Sequence, residues 1–218
     1  VLSGVMLVAV LHLWPREAVV PWEDRPSGLS FRTALAEMAH PSVAARLVAL
    51  GAINAATTIY MAIIGLVMVA DVGRGTDDVA LYVGLVAGLE VPFMLMLPSL
   101  TRSWSRSRLM LLGSVLYSLH VALLPVLAGS ALVWLLVLPA AAGGAVILTV
   151  PIAYMQDLLS NRPGAGAALM SLQRLTGDII AALCFALGTA LSGYGAVALL
   201  GVAVSIFGAA ALLWADRR

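Results

Sequence analysis

Charged residues are scarce in this chain: aspartate, glutamate, lysine and arginine make up 11% of its 218 residues, whereas 62% are hydrophobic. A soluble domain has about a quarter charged residues and uses them to cover its surface. The shortage of charge therefore excludes a water-soluble globular domain, and the abundance of apolar residues excludes an intrinsically disordered chain.

Cysteine, net charge and catalytic motifs are equally limited. The single cysteine, Cys184, excludes a disulfide framework and a cysteine-based zinc site, and a net charge of +1 gives no basic face for nucleic acid. His120 has no second ligand at metal-binding spacing, so we expect it to be a packing residue. The sequence has no H-E-x-x-H, G-x-S-x-G or Walker A motif. We therefore predict a protein that is not an enzyme and holds neither cofactor nor metal.

Long hydrophobic runs are what the chain has instead. A membrane-spanning helix needs about 20 mostly apolar residues. Six runs have this length, near residues 46–70, 79–99, 108–127, 131–156, 165–192 and 195–215. They predict an all-α membrane protein with six transmembrane helices.

The first 45 residues have a different character. Residues 1–14 are apolar but too short to cross a bilayer, so we interpret them as the end of a truncated transmembrane helix. Residues 15–45 are rich in charge and proline and are predicted to be a cytoplasmic linker, with a short amphipathic helix over 30–39. Residues 46–218 are then predicted to form a C-terminal six-helix bundle.

The distribution of arginine predicts the orientation, because the cytoplasmic loops of membrane proteins carry an excess of lysine and arginine. The six predicted spans assign ten of the twelve basic residues to one side of the membrane. The loops on the other side carry Arg74 alone. The ten are Arg16, Arg25, Arg32, Arg46, Arg102, Arg106, Arg108, Arg162, Arg217 and Arg218. We therefore predict a multi-pass protein of the bacterial inner membrane with a cytoplasmic C-terminus.

Three ionisable residues lie deep in the hydrophobic runs, where a charge is costly and marks a candidate functional site. Glu90 lies in the second run, and Arg174 and Asp178 lie four residues apart in the fifth. Arg174 and Asp178 either neutralise each other along one side of their helix or take part in transport. Loss of water favours the neutral form of a carboxyl, so Glu90 is either a protonated group bonded to a nearby helix or a proton-coupling group.

Uncharged polar residues are concentrated in four of the six runs. In the first run Asn54, Thr57 and Thr58 recur at helical spacing and form one polar stripe. The fourth run ends with Tyr154 and Gln156, and the fifth is also rich in polar residues. We expect runs 1, 2, 4 and 5 to face an interior and runs 3 and 6 to face lipid.

Two segments of the chain resemble a known family. Residues 84–110 read GLVAGLEVPFMLMLPSLTRSWSRSRLM, a helix rich in small residues followed by a short basic loop. This resembles the loop after a second span in the major facilitator superfamily, although Thr101, Arg102 and Ser105 depart from its pattern. Together with YMQDLL at 154–159 and RPGAG at 162–166, it is similar to the C-terminal half of bacterial sugar efflux transporters.

The resemblance implies half of a twelve-helix major facilitator fold, built as two inverted three-helix repeats. It implies a secondary active transporter that exports a small solute, with sugar as the expected class, by alternating access and in exchange for protons. The implied partner within the bilayer is a missing N-terminal six-helix half, and no nucleic acid is expected.

The resemblance and the polar pattern together give candidate site residues. Residues expected to hydrogen-bond the solute are Asn54, Thr58, Tyr154 and Gln156. Residues expected to act in coupling or gating are Glu90, Asp157, Arg162, Arg174 and Asp178. The alternatives are a multidrug or metabolite exporter of the same superfamily and a non-transporting membrane assembly or scaffold protein.

Overall fold

The structure is a computed structural model that describes residues 39–158 and 163–217. The described residues are helical throughout, apart from short turns, and contain no β-strand. The α-helices are α1 (Pro41–Gly65), α2 (Thr76–Leu100), α3 (Arg106–Leu127), α4 (Val137–Leu158), α5 (Pro163–Leu191) and α6 (Tyr194–Ala215). A π-helical segment, Leu66–Asp71, extends α1, and a 3₁₀ segment, Ala131–Leu136, precedes α4.

Six of these helical stretches are long and apolar enough to cross a membrane, which confirms the six predicted spans. The chain is therefore a multi-pass membrane protein. The first span starts earlier than the hydropathy suggests, because α1 begins at Pro41, inside the predicted linker. Proline is favourable in the first turn of a helix, where its missing N–H has no partner to lose. The truncated helix predicted over residues 1–14 lies outside the described residues. The predicted linker and its amphipathic helix also lie outside them, apart from the last few residues.

Local signals set the other helix ends. Asp77 and Asp78 lie in the first turn of α2, where carboxylates interact favourably with the helix dipole. The Ser105 hydroxyl accepts a hydrogen bond from the Arg108 backbone N–H and caps α3. Gly193, with φ of 86°, makes the sharp turn between α5 and α6 that a side chain would disfavour.

The loop of residues 72–75 and the loop of residues 101–105 lie at opposite ends of the bundle. We call these the Arg74 end and the Arg106 end. At the Arg74 end, the Arg74 guanidinium donates to the backbone carbonyls of Ala128 and Ser130 at 2.6 and 2.8 Å. The loop after the first span is thereby fixed to the loop before α4.

Helix packing follows a regular pattern. Helix α1 packs against α5 and α6, helix α4 packs against α2 and α3, and α3 and α6 pack against each other. Helices α2 and α5 are the least buried of the six spans. Much of the surface of α2 and of α5 is therefore left uncovered by the other described helices.

Glycine allows the closest of these contacts. A Cβ atom at Gly143 of α4 would lie 2.6 Å from the Tyr117 backbone nitrogen and 2.7 Å from the Gly113 carbonyl oxygen of α3. A Cβ at Gly208 of α6 would lie 2.6 Å from the Ala49 carbonyl oxygen of α1. Because backbone atoms cannot move aside as side chains do, these two glycines set how near the helices approach.

We expect Gly143→Ala to destabilise the bundle by about 1–3 kcal/mol, since the added methyl group forces α3 and α4 apart. The matched control is Gly88→Ala on α2, where a Cβ would meet no atom within 4 Å. There the better helix propensity of alanine should leave stability equal or slightly higher. Thermal unfolding in detergent measures both variants, and equal melting temperatures for the two would contradict the packing argument.

Candidate functional site

A cavity of about 660 Å³ lies between the helices. Its lining comes from α1, α2, α4 and α5, with Tyr117 from α3, and α6 contributes no lining residue. The polar and charged lining residues are Asn54, Thr57, Thr58, Tyr60, Glu90, Tyr117, Gln173, Arg174 and Asp178. The structure thus brings together five of the candidate residues: Asn54, Thr58, Glu90, Arg174 and Asp178.

One wall of the cavity is the polar contact between α1 and α5. A Cβ at Gly177 would lie 2.8 Å from the Asn54 side-chain nitrogen, so α5 passes directly over that amide. The Thr57 hydroxyl donates to the Asn54 carbonyl at 2.7 Å, and the buried Gln173 amide lies 3.5 Å from the Leu50 carbonyl. This wall presents amide and hydroxyl groups that can donate and accept hydrogen bonds.

The ion pair considered for Arg174 and Asp178 is not formed. The Thr58 hydroxyl instead donates to Asp178 Oδ1 at 2.9 Å, across the contact between α1 and α5. None of the ion pairs in the described part of the chain includes Arg174. Arg174 lines the cavity, so a cationic group is available there to an occupant.

Glu90 occupies the opposite wall, on α2. A Cβ at Gly144 of α4 would collide with Glu90 Oε1, so this glycine makes the space in which the carboxyl lies. Tyr60 and Tyr117 line the same cavity as Glu90. No described residue forms an ion pair with Glu90. Within the described residues no hydrogen bond joins the Glu90 carboxyl to a neighbouring helix, and its role in proton coupling stays a prediction.

An aromatic cluster lies behind this wall. His120 of α3 is fully buried, and its ring centroid lies 4.8 Å from that of Tyr60, 5.6 Å from Tyr117 and 6.0 Å from Tyr82. His120 Nδ1 lies 3.1 Å from the Tyr82 hydroxyl. The described residues contain no group of three or more potential metal ligands. His120 packs among these three rings, and its second nitrogen, Nε2, has no hydrogen-bond partner within the described residues.

Tyr154, a candidate solute-binding residue, lies at the Arg106 end and is absent from the cavity lining. Its hydroxyl donates to Asp216 Oδ1 at 2.6 Å and accepts a hydrogen bond from Arg46 Nε at 3.0 Å. Arg46 also pairs with Asp216 at 3.2 Å. These residues join the start of α1 to the ends of α4 and α6, so Tyr154 is committed to a structural contact. Gln156 is exposed and also absent from the lining.

The candidate gating residues lie at the same end. Arg106 forms an ion pair with Asp157 and donates to the Ala153 carbonyl at 3.1 Å, which joins the start of α3 to the end of α4. Arg162 lies outside the described residues. Asp157 therefore has a partner from another helix, and the predicted role of Arg162 stays a prediction.

Sequence reasoning missed two kinds of site residue. Thr57 and Gln173 line the cavity but were not among the candidates. Both belong to runs that are rich in polar residues, so counting all hydrogen-bonding side chains in those runs could have included them. No local sequence pattern indicates that Gly144 contacts Glu90 or that Arg46 pairs with Asp216. Each contact joins helices that are far apart in the chain.

One comparison with curated proteins bears on this site. The chain is 32% identical to the "Putative sugar efflux transporter" of Deinococcus radiodurans. The similarity extends over 176 residues, which cover 78% of this chain and 45% of that protein. The chain thus spans less than half the length of this relative. No protein-family profile matches the chain, and no solved structure matches it.

The cavity makes a prediction about solvent access. In a Cys184→Ala background, we expect a cysteine at Thr57 to react with a charged, membrane-impermeant thiol reagent, because only hydrated thiols ionise and react. The control is Val115→Cys, an exposed position near the middle of α3 and outside the cavity lining, where lipid should suppress the reaction. Labelling of the protein in vesicles, read by mass spectrometry, distinguishes the two. Equal labelling of both cysteines would contradict a hydrated cavity.

Proposed function

We propose that this chain is half of a secondary active transporter of the bacterial inner membrane, of the sugar efflux type. The observation that carries the proposal is the cavity, in which amide and hydroxyl groups on α1 and α5 face a carboxyl on α2. Transporter sites typically lie near the middle of the bilayer between such helices. The similarity to a protein named for sugar efflux supports the same class.

The polar wall favours a polyhydroxylated solute. Asn54, Thr57, Thr58 and Gln173 offer donors and acceptors at neighbouring positions, as sugar hydroxyls require. Asn54 and Thr58 are proposed as solute-binding residues, and Gln173 is added to them. Tyr154 is no longer proposed for this role, because it does not line the cavity and its hydroxyl already bonds to Asp216 and Arg46.

The packing pattern supports two inverted three-helix repeats, α1–α3 and α4–α6. A two-fold axis relating the repeats exchanges α1 with α4, α2 with α5, and α3 with α6. The packing of α1 against α5 and α6 then corresponds to that of α4 against α2 and α3. This arrangement is the basis for alternating access by rocking about a central site.

The exposed side of the bundle supports a missing N-terminal half. Helices α2 and α5 are the least buried spans, yet they carry Glu90, Arg174 and Asp178. Charged groups facing lipid are costly, so a second six-helix half that covers this side would explain them. The alignment covers 45% of the relative, which leaves room for such a half.

The Arg106 end of the bundle is proposed to face the cytoplasm and to contain a gate. The ten arginines that the sequence assigns to one side support a cytoplasmic location for the Arg106 end. There, the contacts of Arg46 with Asp216 and of Arg106 with Asp157 hold α1, α3, α4 and α6 together. We propose that Asp157 acts in closing this side, with Arg162 as a second candidate.

A specific observation keeps the multidrug or metabolite exporter as the second candidate. A second cavity of about 340 Å³ adjoins Thr58 and Asp178 and is lined by Ile59, Phe185 and alanines. Apolar walls of this kind accept hydrophobic groups better than sugars do. A panel of labelled sugars and hydrophobic cations, tested on the complete protein in proteoliposomes, separates the two candidates.

For a sugar substrate, we expect Thr58→Val to raise KM about 3- to 10-fold, since one hydrogen bond to a neutral group contributes about 0.5–1.5 kcal/mol. The control is Thr189→Val on α5, where the hydroxyl donates to the Phe185 carbonyl of its own helix and does not line the cavity. Initial rates of sugar uptake into proteoliposomes measure KM. Unchanged KM in Thr58→Val would remove Thr58 from the site.

For coupling, we expect Glu90→Gln and Asp178→Asn to abolish the dependence of sugar transport on the pH gradient, because neither variant can gain or lose a proton. Asp77→Asn, an exposed carboxylate in the first turn of α2, serves as the control. Transport that keeps its pH dependence in both cavity variants would overturn the assignment of coupling to these carboxyls.

A further inference from the structure

Arg174 places a positive charge well inside a membrane-spanning helix, since α5 runs from Pro163 to Leu191. A charge at such a depth is costly unless it meets an opposite charge or a hydrated space. Across residues 39–158 and 163–217, its guanidinium takes part in no ion pair and no hydrogen bond. The side chain instead lines the cavity of about 660 Å³. The guanidinium is therefore placed to bind whatever enters that cavity.

The carboxyl best spaced to neutralise Arg174 bonds elsewhere. Asp178 lies four residues further along α5, a spacing at which an arginine and an aspartate can pair on one helix face. Its Oδ1 atom accepts a hydrogen bond from the Thr58 hydroxyl of α1 at 2.9 Å instead. The other carboxyl of the cavity, Glu90, lies on α2 against Gly144 of α4. Neither carboxyl is paired with Arg174.

Arg174 lies beside the hydrogen-bonding wall of the cavity. Gly177, three residues after it, passes over the Asn54 amide, because a Cβ at Gly177 would lie 2.8 Å from that nitrogen. Residues three and four apart lie on one face of a helix, so Arg174 shares the face of α5 that meets α1. The adjacent Gln173 amide also lines the cavity. One solute that carries both hydroxyl groups and an anionic group can therefore contact this wall and the guanidinium together.

We propose that Arg174 binds the carboxylate of an acidic sugar, a hexuronate or a close relative, while Asn54, Thr57 and Gln173 bind its hydroxyl groups. The inference rests on the proposed function and names a narrower substrate class for the same cavity. A planar guanidinium can donate two parallel hydrogen bonds to a carboxylate, and such charged pairs are stronger than neutral ones. A neutral sugar leaves the charge of Arg174 uncompensated, so the cavity selects the sugar acid.

The charge of the cavity favours a carboxylate over a phosphate ester. One arginine lines the cavity together with two carboxyls, Glu90 and Asp178. A phosphate ester carries a charge of about −1.5 to −2 at neutral pH, which exceeds what one guanidinium compensates. A sugar acid carries a single negative charge, which one guanidinium matches. The same anion-binding arginine therefore fits a sugar carboxylate better than a sugar phosphate.

The test compares hexose and hexuronate pairs, which differ only in a CH₂OH group or a carboxylate at one carbon. Initial rates of labelled glucose and glucuronate, and of galactose and galacturonate, are measured with the complete protein in proteoliposomes. We expect the KM for at least one hexuronate to lie about 10-fold or more below that of its hexose, because hydrogen bonds to charged groups contribute more than neutral ones. Arg174→Gln should raise that KM about 10-fold or more and leave the KM for the hexose within about twofold.

Two further variants show whether the guanidinium itself is responsible. Arg174→Lys keeps the charge but not the two-pronged geometry, so it should retain part of the preference for the hexuronate. The matched control is Arg108→Gln, which removes an exposed arginine at the Arg106 end, outside the cavity lining, and should change neither KM. Melting temperatures identify any variant that fails to fold, and Arg174→Lys then carries the comparison.

Competition with uncharged and doubly charged analogues tests the charge. The methyl ester of glucuronate should compete no better than glucose, and glucose 6-phosphate should compete less well than glucuronate. An ester that competes as well as the free acid would show that charge is not recognised, which overturns the inference. Stronger competition by the phosphate would overturn the assignment to a carboxylate.

The remaining outcomes separate this inference from the proposed function. If the wild type transports hexoses with a KM equal to or below that of the hexuronates, sugar transport stands and the acidic-sugar site is wrong. Equal losses for hexose and hexuronate in Arg174→Gln would assign Arg174 to a contact within the complete protein, which also overturns the site. If the wild type moves neither sugars nor sugar acids, the proposed function and the inference fail together.

Discussion

The absence of water in the bilayer core is the constraint on which the rest of this structure depends. A polar group placed there must find a partner within the protein or face a hydrated space. Most polar side chains at the ends of the bundle meet this requirement directly: Arg74 is held by two carbonyls, and Arg46 by Tyr154 and Asp216. Glu90 and Arg174, which form no ion pair within the described residues, both line one cavity. Their position follows from the constraint, because only a space that admits water or solute compensates them.

The same constraint shapes the packing. Apolar side chains gain little by leaving lipid for another apolar surface, so helix association depends on close van der Waals contact and on hydrogen bonds. Gly143 and Gly208 allow the close van der Waals contact. The hydrogen bond from Thr58 of α1 to Asp178 of α5 is one of the bonds between helices. Ion pairs at the Arg106 end then join helix termini without crossing the core. The result is a bundle in which α1, α3, α4 and α6 are well buried, and α2 and α5 pack against them as the most exposed spans.

The six spans could be predicted from the sequence because hydropathy and length are local properties, and the bilayer imposes them directly. The polar stripe of α1 was likewise visible at helical spacing, and its residues do line the cavity. Partners could not be predicted in the same way. The i, i+4 spacing of Arg174 and Asp178 suggested an ion pair, but Asp178 bonds to Thr58, which is 120 residues away in the chain. Tyr154 looked like a solute ligand for the same reason: nothing local reveals that the end of α6 brings Asp216 to its hydroxyl.

The two carboxyls of the cavity, Glu90 and Asp178, lie at similar positions along α2 and α5. Glu90 lies 14 residues after the start of α2 at Thr76, and Asp178 lies 15 residues after the start of α5 at Pro163. If α2 and α5 are equivalent helices of inverted repeats, the two acids occupy nearly equivalent places on them. Each also lies at or next to a close helix contact: Glu90 against Gly144 of α4, and Asp178 beside Gly177, which packs on Asn54 of α1. Their environments nevertheless differ, since Asp178 accepts a hydrogen bond from Thr58, whereas Glu90 lies against Gly144 in a cavity that Tyr60 and Tyr117 also line. The equivalence of the two positions therefore lies in the helices that carry them, and their different neighbours come from the side chains of α1 and α4 that they meet.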